Sequence, residues 1–192
     1  MSILMRAREI TGRPVVTLDT AEDVAEVKDV VFDHASATLV GFTLNRRGFL
    51  GSPMKEVLPW SRVAALGPDA VMIDGAGALG GGDGAMEDAT GSDRDVIGAA
   101  VMTDSGTALG SVVDVILEVE DGARVVGFEV DGPEVERDRS AATLLIPVDD
   151  TIAVSGRTLM VPAAVRDFVQ DDLAGFGAAV DAFRARLSED AP

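Results

Sequence analysis

Very few side chains in this sequence of 192 residues can move a proton near neutral pH: there is one histidine, His34, and there is no cysteine and no tyrosine. His34 stands in Asp33-His34-Ala35-Ser36, a polar turn between two apolar runs. No Ser-His-Asp set can be placed and no G-x-S-x-G surrounds a serine, so His34 reads as an exposed turn residue. Paired carboxylates are the other route to acid and base chemistry, and Asp19 with Asp23 or Asp29 with Asp33 are the nearest pairs. Asp29 recurs as Asp114 at the same place in an internal repeat, however, and a duplicated carboxylate just inside a strand is more simply a backbone or turn acceptor. The absence of cysteine removes disulfides, thiolate nucleophiles and Cys-ligated metal sites together. In the Gly-rich stretch 74–84 there is no G-x-x-x-x-G-K-[ST], and Asp83, Glu87, Asp88, Asp93 and Asp95 lack the EF-hand register. The expectation is a protein with no catalytic residue, no cofactor and no designed metal site.

Charge narrows the partner. With 33 acidic and 16 basic side chains the net charge is −17, unevenly spread. Residues 1–74 hold 10 acidic and 8 basic groups, 75–161 hold 17 and 5, and 162–192 hold 6 and 3. A nucleic-acid binder needs a basic stripe to displace phosphate counterions, and this field repels polyanions, so nucleic acid is disfavoured. Only Arg46 and Arg47, with Lys55 and Arg62 not far off, are locally basic, and they read first as a solvated loop edge. Trp60, the one tryptophan, offers a stacking platform, although the lone Trp of a small acidic barrel is more often core or a half-buried cap. No apolar run approaches the roughly 18 residues of a membrane span, and no secretory h-region opens the sequence, so the expected address is cytoplasmic.

Self-comparison exposes a duplication. Residues 19–31 lie over 104–116 at an offset of 85, with identities Asp19/Asp104, Val27/Val112, Asp29/Asp114 and Val30/Val115. Val40-Gly41-Phe42 matches Val126-Gly127-Phe128 at 86, and Leu58-Pro59-Trp60 meets Ile146-Pro147-Val148 at 88. Ala70–Ile73 meets Thr158–Val161, also at 88. Ordered matches with a slowly growing offset are what duplication with small insertions produces. Each copy reads as short strands: 14–18, 26–33, 38–44, 57–60 and 70–73 in the first, with one helical turn over 61–66. The second gives 96–103, 111–118, 124–130, 143–148 and 158–161, with a turn near 149–154. Gly41 inside a strand marks a bulge or sharp bend. The fold class is therefore all-β: two tandem small barrels, at 1–74 and 96–161, joined by a Gly/Asp-rich linker at 75–95.

The tail, 162–192, differs in kind. Pro162 suits a first helical turn, and apolar residues then recur at steps of three and four, which predicts an amphipathic helix weakened in its middle by Gly175 and Gly177. Phe168, Phe176, Val180, Phe183 and Leu187 form its candidate interface, a stripe that must be buried on the barrels or against another copy.

The repeat resembles the PRC-barrel family. The residues that carry the resemblance are Gly12-Arg13-Pro14-Val15-Val16, Glu26 to Asp33, Val40-Gly41-Phe42, Val57 to Val63 and Gly67 to Val71, and more weakly their counterparts in 97–161. Ala25 stands where the family usually has glycine, which Gly110 keeps in the second copy. Val148 replaces Trp60, and the acidic insertion 131–140 replaces the loop near Arg46. The resemblance implies a non-catalytic module that docks on proteins or RNA complexes. The expected function is a protein-binding or assembly adaptor, self-associating as a homodimer or docking on a protein partner, with Arg46, Arg47, Lys55 and Trp60 as the candidate surface. The alternative is an RNA- or ribosome-associated maturation factor using the same four residues.

Overall fold

The structure, a computed structural model, describes residues 3–33, 38–48, 51–81, 96–120, 122–132, 143–148, 153–155 and 158–190. The chain divides into two compact units, one of residues 7–93 and 121–123, the other of residues 1–6, 94–120 and 124–192.

In the first unit, a single turn, α1 (Ala7–Ile10), leads through Gly12 into β2 (Pro14–Thr17). The chain continues through β3 (Asp23–Asp33), β4 (Thr38–Asn45), β5 (Pro53–Pro59), β6 (Ala65–Leu66) and β7 (Val71–Ile73). The strands are ordered β5-β4-β3-β2-β7-β6, antiparallel except for the parallel pair β2 and β7. Alternation decides which face is buried: Val15, Ala25, Val27, Phe42, Leu44, Leu58, Val71 and Ile73 turn inward, each at most 1% exposed. Gly12 takes φ +85°, a conformation open to glycine without a Cβ clash, and donates its N–H to Val27 O at 2.8 Å. Gly41, at φ +159°, lies where the β3–β4 register shifts between Val31 and Phe32, so the expected bend is a β-bulge. The helical turn expected over 61–66 is a 3-10 turn at Trp60–Arg62 followed by β6. The strand read from 26 begins at Asp23.

The second unit repeats this frame. Its strands β8 (Ala100–Thr103), β9 (Ala108–Val119), β10 (Ala123–Asp131), β11 (Leu144–Pro147), β12 (Ala153–Ser155) and β13 (Thr158–Val161) are ordered β11-β10-β9-β8-β13-β12. The first of these is shorter than the expected 96–103, and β9 starts before the expected 111. Equivalent hydrogen bonds recur in both copies. Gly98, at φ +86°, donates to Val112 O at 2.8 Å as Gly12 does to Val27, and Asp104 N–H donates to Val161 O as Leu18 does to Ile73. Buried Thr17 and Thr103 each accept from a backbone N–H across the following turn, Glu22 at 3.1 Å and Thr107 at 2.9 Å. That turn needs one residue in the left-handed region, filled by Ala21 in the first copy and Gly106 in the second.

One element is not in the repeat order. β1 (Ile3–Arg6) runs antiparallel to β9, with Ile3 opposite Val119 and Arg6 opposite Ile116, so the chain's first strand completes the second unit. Arg6 Nε donates to buried Glu129 Oε2 at 2.7 Å, and Thr143 Oγ1 donates to the other carboxylate oxygen at 2.5 Å. The charged pair is thus hydrogen-bonded on both oxygens, the condition under which a buried carboxylate is tolerated.

The tail is not one helix from Pro162. Residues Ala163–Phe168 form a 3-10 segment, and Gln170 then exchanges two backbone hydrogen bonds with Leu145, at 2.7 and 3.0 Å, which demands extended chain and interrupts any helix. The α-helix, α2 (Leu173–Asp190), starts afresh on Asp172, whose Oδ1 accepts the N–H of Gly175 at 2.9 Å as an N-cap. Gly175 and Gly177 therefore lie in the first turn and a half of the helix, not its middle. The 3-10 segment and bridge belong to the repeat: in the first copy a 3-10 turn at Ala76–Ala78 leads to Gly80, which makes the same two-way bridge with Val57.

Candidate interaction surfaces

The carboxylates considered for acid and base chemistry have structural partners. Asp23 pairs with Arg47 at 2.6 Å, and Asp29 accepts from Thr43 Oγ1 at 3.0 Å beside Lys28 Nζ at 2.9 Å. At the equivalent position Asp114 is buried, its Oδ1 accepting the N–H of Val115 at 2.8 Å, so duplication kept the residue and changed its surroundings. His34 and the acidic residues 83, 87, 88, 93 and 95 lie outside the described residues. Among the described residues no three His, Asp or Glu side chains cluster as metal ligands, and no helix is long and apolar enough to cross a membrane.

The four residues of the candidate basic and aromatic surface do not converge. Arg46 and Arg47 are exposed at the tip of the β4–β5 hairpin, beyond the Asn45–Pro53 pair. Trp60 follows Pro59 at the far end of β5, opposite Gly41. At about 3.3 Å per residue, the five positions from Gly41 to Arg46 separate the two ends by roughly 16 Å. Lys55 is exposed between them, next to exposed Glu56. Arg47 is engaged by two carboxylates, Asp23 at 2.6 Å and Glu26 at 2.8 Å, which neutralise it locally. Trp60 is half-buried, its ring edge-on to Phe42 with centroids 6.3 Å apart, as a cap on the core. Arg13, which the sequence marks only as a motif position, is nearly buried and holds two loops. It donates to Glu9 O at 2.8 Å and Gly67 O at 2.5 Å. Burial lowers its pKa, against the opposing pull of Glu9 and Asp69.

The helix stripe is spent within its own unit. Phe176, Val180 and Phe183 are at most 2% exposed; Phe176 and Val180 pack with Ile116, Val126 and Leu145. Phe168 and Leu187 are half-buried, the Phe168 ring lying 5.5 Å from that of Phe183. The fit depends on Gly127 in β10: a Cβ there would collide with the Phe176 ring and come within 2.7 Å of Ile146 O. Arg184 faces Glu118 of β9 at 3.7 Å.

Register pairs identify the same face on the first copy. Gly41 opposes Pro59 and Phe42 opposes Leu58 there, as Gly127 opposes Pro147 and Phe128 opposes Ile146 in the second. The counterparts of Ile116, Val126 and Leu145 are thus Val31, Val40 and Val57, which pack together as a cluster of their own. Val126 and Leu145 are 0% and 1% exposed, whereas Val40 and Val57 are only partly buried. Sequence reasoning overlooked this face because three dispersed valines carry no local signal; only superposition of the repeats reveals it. The second unit also holds an open cavity of about 830 Å³, floored by Leu109, Val130, Leu144 and Ile146 and rimmed by Arg166 and Asp167.

The family model of the PRC-barrel domain matches the chain twice, over residues 3–79 and 90–167. Both matches extend past the strands into the 3-10 segments that precede the bridge of each copy. No curated protein matches the sequence.

Proposed function

The chain belongs to the PRC-barrel family, as a tandem pair of these general protein-interaction modules, and on that premise we propose that it is a non-catalytic adaptor that docks on a protein partner or on itself. The observation that carries the reading is the duplication of an entire barrel frame, down to its individual turn hydrogen bonds, in a chain where the carboxylates of Asp23 and Asp29 serve as structural partners. The helix stripe is already covered by its own barrel, so self-association would have to use other surfaces. An RNA- or ribosome-associated role gains little support, since Arg47 is neutralised by Asp23 and Glu26 and Trp60 stands at the other end of the strand.

The test is recovery of the tagged full chain after cross-linking through Lys28 and Lys55, its only lysines, with light scattering on the purified protein. A stoichiometric protein partner or a stable oligomer is expected. A strict monomer that brings down no protein, or one whose cross-linked material is lost on nuclease treatment, would overturn the reading.

A further inference from the structure

We propose that the Val31–Val40–Val57 face of the first barrel is the seat for an amphipathic helix of a partner protein, bound as α2 is bound on the second barrel. The inference rests on the protein-docking reading above and names the surface and the chemistry of its ligand. The structure contains its own template. On the second barrel, Ile116, Val126 and Leu145 are covered by Phe176 and Val180, one helical turn apart on α2. On the first barrel the three equivalent valines cluster in the same way, yet Val40 and Val57 retain solvent exposure.

The local frame agrees beyond the valines. The strand glycine is kept: Gly41 holds the register position of Gly127, where the second copy leaves room for the Phe176 ring. Val57 is fixed by the Gly80 bridge as Leu145 is by Gln170, so the strand edge has the same backing. The acidic position is kept as well. Glu118 faces Arg184, eight residues after Phe176, and the first-barrel counterpart of Glu118 at the repeat offset of 85 is Asp33, again a carboxylate. The predicted ligand is therefore a helix reading aromatic-x-x-x-aliphatic-x-x-x-basic, as Phe176, Val180 and Arg184 do.

A second copy of this chain is the less favourable donor. Its α2 has Phe176 and Phe183 at 0% and 1% exposure, and withdrawing them would open its own core.

The probe is a synthetic peptide of residues 171–190, titrated into isotope-labelled full chain and followed by amide chemical shifts. Saturable shifts are expected at Val40–Phe42 and Val57–Leu58, with half-saturation below about 1 mM. Val40→Asp in the protein and Phe176→Asp in the peptide should each weaken binding by at least about tenfold. Val57→Lys, a partly exposed site, serves if Val40→Asp perturbs folding. Shifts confined to Ile116, Val126 and Leu145, or none up to that concentration, would overturn the proposal. So would concentration-dependent shifts at Val40 without peptide, which would assign the face to a second copy. A chain that cross-links a protein partner but ignores the peptide fails this proposal alone; one with no partner fails the adaptor reading.

Discussion

Gly127→Ala is the sharpest test of how the second barrel is closed. A Cβ at this position meets the Phe176 ring, with Cε1 at 2.7 Å, and also the backbone oxygen of Ile146 at 2.7 Å. The ring can move, but Ile146 O cannot, because it lies on a strand paired to β10 with Phe128 opposite Ile146. Two relaxations compete. A backbone shift with the ring retained resembles overpacking, about 1–3 kcal/mol. Ejecting Phe176 from a site where it is 0% exposed resembles deletion of a core Phe, about 3–5 kcal/mol. The cheaper route sets the cost, so destabilisation by about 1–3 kcal/mol is expected, concentrated on α2. The assay is amide hydrogen exchange across α2 and β10, because Trp60 reports on the other unit. A double-mutant cycle isolates the ring clash: in a Phe176→Ala background the methyl still meets Ile146 O but not the ring, and Gly127→Ala should cost at least about 1 kcal/mol less than alone. Exchange in α2 within about 0.5 kcal/mol of the parent, or strictly additive effects, would refute the packing argument.

Other perturbations follow from the same frame. Arg6→Met removes the cation facing buried Glu129; as the Arg6 side chain is 19% exposed, the cost falls below that of a wholly buried pair, about 2–3 kcal/mol, read as faster exchange in β9. Adding Glu129→Gln should recover part of that loss, and no recovery would point to packing of the Arg6 stem instead. Ala21→Gly relieves a φ of +56° that costs alanine about 1–2 kcal/mol, offset by about 0.5–1 kcal/mol of glycine entropy, so a small gain in stability is expected. Gly106→Ala at φ +82°, with open space around the new methyl, should lose about 1 kcal/mol by the same reasoning, and equal effects of opposite sign in denaturant melts would confirm the equivalence of the two turns. Arg47→Ala breaks two exposed ion pairs and should cost less than about 1 kcal/mol in stability. Filter binding of that variant and the parent to single-stranded RNA at low salt should show no difference; a clear loss on substitution would restore the nucleic-acid reading.

The frame was legible because duplication writes each constraint twice. Val27 and Val112, Asp29 and Asp114, and the apolar alternation of each strand could be checked against one another without coordinates. What escaped was non-local. β1 gives four residues of ordinary strand composition, and nothing in Ile3–Arg6 says that its partner lies more than a hundred residues away in β9. The tail misled because apolar spacing of three and four continues across Val165 to Leu173, although Gln170 is held extended by Leu145. The signal for the true start was present in Asp172, three residues before Gly175, a capping position that outranked the proline further upstream. The basic and aromatic surface failed to assemble for a simpler reason. Residues near in sequence are not near in space here, because a hairpin strand carries Arg46 and Trp60 to opposite ends.

What separates the copies is the cover each barrel receives, not the barrel itself. After Gln170 the chain supplies Asp172 as a cap and then α2, whose Phe176 uses the space at Gly127; the second barrel thereby satisfies its apolar face internally. The same face on the first barrel keeps its valines, its glycine and its bridge, and leaves Val40 and Val57 in contact with solvent. Apolar positions on a surface with no ligand drift toward polar residues at little energetic cost, while positions under a helix cannot. Val31, Val40 and Val57 in the first copy and Ile116, Val126 and Leu145 in the second all stay apolar, while other repeat positions differ, Arg13 against Ala99 and Trp60 against Val148. The charge distribution is compatible with a ligand patterned on α2, whose residues 171–190 hold five acidic and two basic side chains: residues 1–74 are close to neutral and 75–161 carry most of the −17, so such a helix meets the least repulsion at the first barrel.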